Sequence, residues 1–199
     1  MGMMLTEVTQ VASAALPVQA LKDQLRLGSG FSGSGFQDSL LEGHLRAALA
    51  VIEGRTAKAI LARQYKLVLE DWRQADEQPL PVAPVGAVAS VTVFDAMGGA
   101  TALEAARWRL VADVARPKLV AHGVLFPNVP EDGRIEIIFD AGFGAWADVP
   151  ADLAQAVLML AAEYYENRHE TDRVAGLPHA VLALIERWRT VRVLGGGAR

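Results

Sequence analysis

Apolar residues recur with two different periods along the chain, and the changes of period divide it into three parts. Near the start, Val18, Leu21 and Leu25 follow Pro17 at helical spacing. Proline is pre-organised for a first helical turn, so a short helix is expected over residues 17–27. A longer helix is expected over 39–54, where Leu41, Leu45, Ala48 and Ile52 fall at i, i+4, i+7 and i+11 and Leu49 widens the stripe. Asp38 or Ser39 is its expected cap and Gly54 its stop. Between the two helices, residues 28–37 form a glycine/serine stretch that reads as a linker.

The period then drops to two. Tyr65, Leu67 and Leu69 alternate with polar or exposed neighbours, as they would in a half-buried strand. A proline-rich passage over 79–84 leads into a valine-rich strand over 88–94, and Asp95 to Gly99 reads as the following turn. Short strands over 108–111, 118–120 and 134–139 complete an expected antiparallel sheet, so the β region spans 64–140. Helical spacing returns with Leu153, Val157, Leu160 and Tyr164 in a helix expected over 150–169, with Asp148 as cap before Pro150. A last helix is expected over 178–190, with Val181, Ile185 and Trp188 turned inward. The order implies an α+β fold: a small bundle of about four helices, an antiparallel β insertion and an extended C-terminal tail. Residues 1–193 read as one domain and 194–199 as a flexible tail.

Composition narrows the function more than the fold. The chain has 199 residues, is 52% hydrophobic and carries no cysteine, which excludes disulfides, thiolate metal sites and a cysteine nucleophile. A net charge of −4 argues against a globally basic nucleic-acid binder. The start lacks the basic residues of a secretory signal, and the apolar run over 153–162 falls well short of the roughly 20 residues that span a bilayer. No membrane association is expected.

Candidate chemistry is sparse. Gly28, Gly30 and Gly33 make a literal G-x-G-x-x-G, but a helical pattern precedes it where a dinucleotide loop needs a strand. Glu166 and His169 form one E-x-x-H with no second copy, and His44, His122 and His179 stand singly. No catalytic, cofactor or metal site is expected. Two charge clusters remain. Glu70, Asp71, Asp76 and Glu77, against one Arg73, make an acidic strand–loop region. Arg187, Arg189, Arg192 and Arg199 alternate with Trp188, Val191, Val193 and Leu194 in a tail that is either frayed or docked on a partner.

Four segments, in order and spacing, carry a likeness: residues 16–27 with 40–56; Leu80 to Val85 leading into the 88–94 strand; Ile135 to Gly144 followed by Val149 and Pro150; and the helix 154–168 with Tyr164, Tyr165, Glu166, Asn167 and Arg168. With them the chain resembles the head–tail connector (adaptor) proteins of long-tailed bacteriophages and phage-derived gene transfer agents. The first fifteen residues, the 28–37 insertion and the tail after Val193 fall outside the likeness. The resemblance implies a structural virion protein, not an enzyme. Such proteins form a ring, commonly of twelve copies, beneath the portal protein, join stopper or other tail proteins, and let DNA leave through the lumen without sequence-specific binding.

It further implies that Arg187, Trp188, Arg189, Arg192, Val193, Leu194 and Arg199 contact the portal. Glu70, Asp71, Asp76 and Glu77 then face the lumen or the tail. A chain carrying −4 per copy is expected to be a monomer or small oligomer alone and a ring on its template. The competing readings are a tail-side completion or terminator protein, a small nucleotide-binding enzyme built on Gly28 to Gly33, and a DNA-binding regulator using the arginine-rich tail.

Overall fold

Around α3 (Ala151–Glu166) three other helices pack: α1 (Val18–Gln24), α2 (Gly35–Thr56) and α4 (His179–Ile185). This computed structural model describes residues 2–27, 35–168 and 176–189. The helical stripes predicted from spacing meet in one core, where Leu21, Leu41, Leu45, Ile52, Leu153, Val157, Val181 and Ile185 are fully buried. Ala48, Ala156 and Ala161 lie at the contacts and let the helix axes approach closely. Each buried leucine or isoleucine contributes about 1.5–3 kcal/mol to holding the layer together.

The β region makes a second core beside the first. A five-stranded antiparallel sheet has the order β1 (Met3–Glu7), β2 (Arg63–Leu69), β8 (Arg134–Ala141), β4 (Val85–Phe94), β5 (Ala100–Ala102). A three-stranded sheet has the order β3 (Glu77–Pro79), β7 (Lys118–Ala121), β6 (Trp108–Val111). Alternation puts Tyr65, Leu67, Leu69, Ile135, Ile137, Phe139, Val91 and Val93 on one face of the larger sheet. That face buries against Leu119 of the smaller sheet and against Trp72 and Phe126, whose rings stack 4.2 Å apart.

A short seam joins the two layers. The chain leaves α2 through Ala57, in the left-handed region at φ 54°, and the amides of Ala59 and Ala83 bond Ala83 O and Ala57 O. On the return path Phe143 N donates to Ile60 O, and Ala62 N to Gly144 O. Gly142 has φ 131°, and a Cβ there would lie 2.5 Å from Ala62 Cα, so only glycine fits this crossing. Lys58 is buried at the same seam, its Nζ donating to Val114 O at 2.7 Å and thereby tying the β6–β7 loop down.

Several expectations are corrected. The single sheet is two sheets, and β1 was not foreseen. Gly54 does not stop the second helix, which runs from Gly35 to Thr56, because the left-handed turn comes only at Ala57. Asp148 does not cap α3; Pro150 occupies the cap position, and Asp148 Oδ2 accepts Ala145 N–H in the turn before it. The last helix ends at Ile185 and tightens into a 3-10 turn over Glu186–Trp188, rather than continuing to 190. The helix expected over 17–27 is shorter, Val18–Gln24, with Arg26 at φ 54°. Within the helix expected over 150–169, α3 ends at Glu166 and His169 lies outside the described residues.

Candidate functional site

The last described turn is fastened to the first turn of α3 by one carboxylate. Asp152 Oδ2 accepts the indole N–H of Trp188 at 2.7 Å and pairs with Arg187 Nε at 2.6 Å. Burial alone would push the Asp152 carboxyl up, but these two partners and the Leu153 amide outweigh it and hold it below the usual range. An acid in the first turn is also favoured by the helix dipole. The Trp188 ring meets Phe143 edge-on with centroids 5.7 Å apart, and the Arg187 guanidinium lies over the same indole.

Trp188 is thus half-buried, as its inward position in the helical stripe predicted. Arg187 and Arg189 are exposed beside it, and Arg189 pairs with Glu186 at 3.0 Å. Of the seven tail residues singled out in the sequence, Arg187, Trp188 and Arg189 therefore form one cluster at the root. Arg192, Val193, Leu194 and Arg199 lie outside the described residues.

The acidic region does not act as one patch. Glu77 is paired with Lys118 across β3 and β7, and Glu70 Oε2 accepts Gly2 N–H at 2.6 Å. Asp71 accepts the amide of Trp72 at 2.8 Å, while Asp76 is exposed at the loop. Glu70, Asp71 and Asp76 are exposed, and Glu77 is half-buried.

A second charged group escaped the sequence reading. Arg63 donates to Glu53 at 2.6 and 3.0 Å and to Glu7 at 2.8 Å, while Glu53 also accepts the Ile60 amide at 2.7 Å. Desolvation opposes the Arg63 charge, yet these carboxylates outweigh it and raise its pKa. The group ties β1, α2 and β2 together, which is structural work. Acid and base lie ten and 56 residues apart, so no local pattern announces them. His44, on α2, packs edge-on against Tyr165 with centroids 6.1 Å apart, and burial followed by Arg168 lowers its pKa.

Glu166 is exposed at the end of α3, and Gly28, Gly30 and Gly33 lie outside the described residues. Among the described residues no three His, Asp or Glu side chains gather to hold a metal ion, and no helix is long and apolar enough to cross a membrane.

No family model and no curated protein matches the chain. Solved structures do. A chain in the neck of an empty gene transfer agent (GTA) particle, computed with C6 symmetry, is 54% identical with a TM-score of 0.88, covering 97% of this chain and 98% of that one. A chain from the virion of a native GTA particle is 55% identical with a TM-score of 0.86, at the same coverage. A third, from the neck of a native GTA particle computed with C12 symmetry, is 52% identical with a TM-score of 0.84. Coverage of 97% takes in most of the first fifteen residues, which the sequence likeness had left out.

Proposed function

The chain belongs to the family of gene transfer agent neck proteins, and from that premise we propose that it forms a ring under the portal and joins the DNA-filled head to the tail. The observation that carries this reading is the match at 54% identity over 97% of the chain to a neck component of such a particle. Its place is the head–tail junction, and its role there is that of a structural connector. The C6 and C12 symmetries of the related necks support a ring of copies, twelve in the simplest case.

Within this reading, the C-terminal segment reaches the portal. Arg187, Trp188 and Arg189 form its fixed root, and Arg192, Val193, Leu194 and Arg199 supply alternating basic and apolar contacts. Fastening the root to α3 shortens the length of chain that must be ordered on binding, which lowers the entropic cost of docking. Glu70, Asp71, Asp76 and Glu77 face the lumen or the tail, where negative charge keeps exiting DNA from adhering. Stopper or other tail proteins complete the joint.

The portal contact is tested by native mass spectrometry of the chain truncated after Arg189 and mixed with portal. Lost or strongly weakened binding is expected. Binding equal to that of the full chain removes the tail from the portal interface.

A further inference from the structure

Resting on the ring reading above, we propose that neighbouring copies join through opposite edges of the five-stranded sheet, the β1 edge of one copy against the β5 edge of the next. A ring built by rotation alone is heterologous: each copy needs two unlike surfaces on opposite sides. The strand order β1-β2-β8-β4-β5 places two unlike edges in that relation.

The β1 edge is the adhesive one. In its pairing with β2, Val8 N donates to Gln64 O and Gly2 O accepts from Glu70 N, so even-numbered residues turn their backbone groups inward. The alternation of an antiparallel ladder then turns the N–H and C=O of Met3, Leu5 and Glu7 outward. Met3, Met4 and Val8 are 57%, 56% and 49% exposed, three of the eight large apolar side chains left most open among the described residues. Natural edge strands are usually blunted by lysine, proline or a bulge. β1 reads Met-Met-Leu-Thr-Glu and pairs in unbroken register, with none of these. An edge that opens with exposed Met3 and Met4 and turns its one charge, Glu7, to Arg63, on a chain whose relatives sit in symmetric necks, is suited to a second copy of itself.

The receiving edge is small and smooth. β5 is Ala100, Thr101 and Ala102, all exposed, and offers no bulk to hold a neighbour off. Successive pairings set Met3, Leu69, Ile135, Val93 and Thr101 on one rung across the sheet. Met3 and Thr101 are therefore at the same height on opposite edges, the relation that lets copies repeat around a ring. Within one copy four strand spacings, about 19 Å, separate them.

The absence of native cysteine makes the test direct. Met3→Cys and Thr101→Cys are introduced together into the full chain in particle-producing cells. Particles are treated with a short bis-maleimide that cannot cross the sheet within one copy, and the neck is imaged in parallel. Denaturing gels are expected to show a ladder of covalent multimers for the double variant and none for either single variant. Intact necks without a ladder overturn the edge-to-edge contact and leave the ring reading standing. Crosslinking of Met3→Cys alone overturns it too, since that signals two β1 edges meeting. Particles whose necks lack the chain remove both the contact and the ring reading.

Discussion

The helical layer and the β layer are similar in the size of their cores and opposite in how the chain builds them. The helical core is assembled from two distant stretches, 16–61 and 149–185, closed on each other around α3. The β core comes almost entirely from the continuous stretch between them, with β1 the one strand brought from far away in sequence. The helical layer spends its surface on fixing the tail root. The β layer leaves edges open. The layer that fixes the tail root and the layer with open sheet edges are thus separate, joined at a seam where Gly142 admits no side chain and Lys58 is buried.

The sharpest way to break the comparison is to remove a side chain from the middle of one layer and watch the other. Phe139 is fully buried on β8 and stacked on Tyr65. Phe139→Ala is expected to cost about 3–5 kcal/mol. Trp72 and Trp108 lie in the β layer, Trp146 and Trp188 in the helical one, so denaturant unfolding of variants keeping only one pair reads each layer by itself. Coincident transitions would make the seam cooperative, and separated ones would make the layers independent.

A smaller effect comes from the group that fastens β1. Arg63→Ala leaves Glu53 largely buried without its partner and is expected to cost about 3 kcal/mol. Glu7→Gln, at the more exposed end of the same group, is expected to cost less than about 1 kcal/mol by the same denaturation measurement. Equal losses would show that Glu7, not Glu53, carries the group. Next, Asp152→Ala is expected to cost about 1–2 kcal/mol by removing the acceptor of a half-buried indole. It should also change the emission of Trp188 in a Trp188-only variant, while a Trp72-only variant stays unchanged.

The smallest effect is one of pH. Burial and Arg168 lower the His44 pKa in the fold, so below about pH 6.5 the unfolded chain binds a proton more readily than the folded chain. The helical layer is expected to lose stability as the pH falls from about 6.5 towards 5, and His44→Gln to flatten that slope in thermal melts. Asp152 acts in a lower window: its contribution is present above its unfolded value near 3.9 and is lost as the pH falls below it.

The helical layer was largely legible in the sequence because a helical stripe is a local signal. Leu41, Leu45, Ala48 and Ile52 announce their shared face without reference to anything distant, and all four are fully buried. The alternation in β2 and β8 was legible for the same reason. What escaped were pairings over long separations. β1 is a five-residue strand whose partner is 60 residues away, and the split of the β region into two sheets depends on which strands meet, not on their pattern. Helix ends were misplaced where a turn at Ala57 or a 3-10 turn at Glu186–Trp188 decided the boundary. At the tail root, the sequence marked Arg187 and Trp188 but not Asp152, because a carboxylate 36 residues away carries no local sign of its role.

The most direct test of a joining role is to delete this chain from a particle-producing strain and image the lysate by negative-stain electron microscopy. Heads and tails accumulating separately, and rejoined when the full chain is restored, are the expected result. Complete tailed particles in the deletion strain would contradict the account.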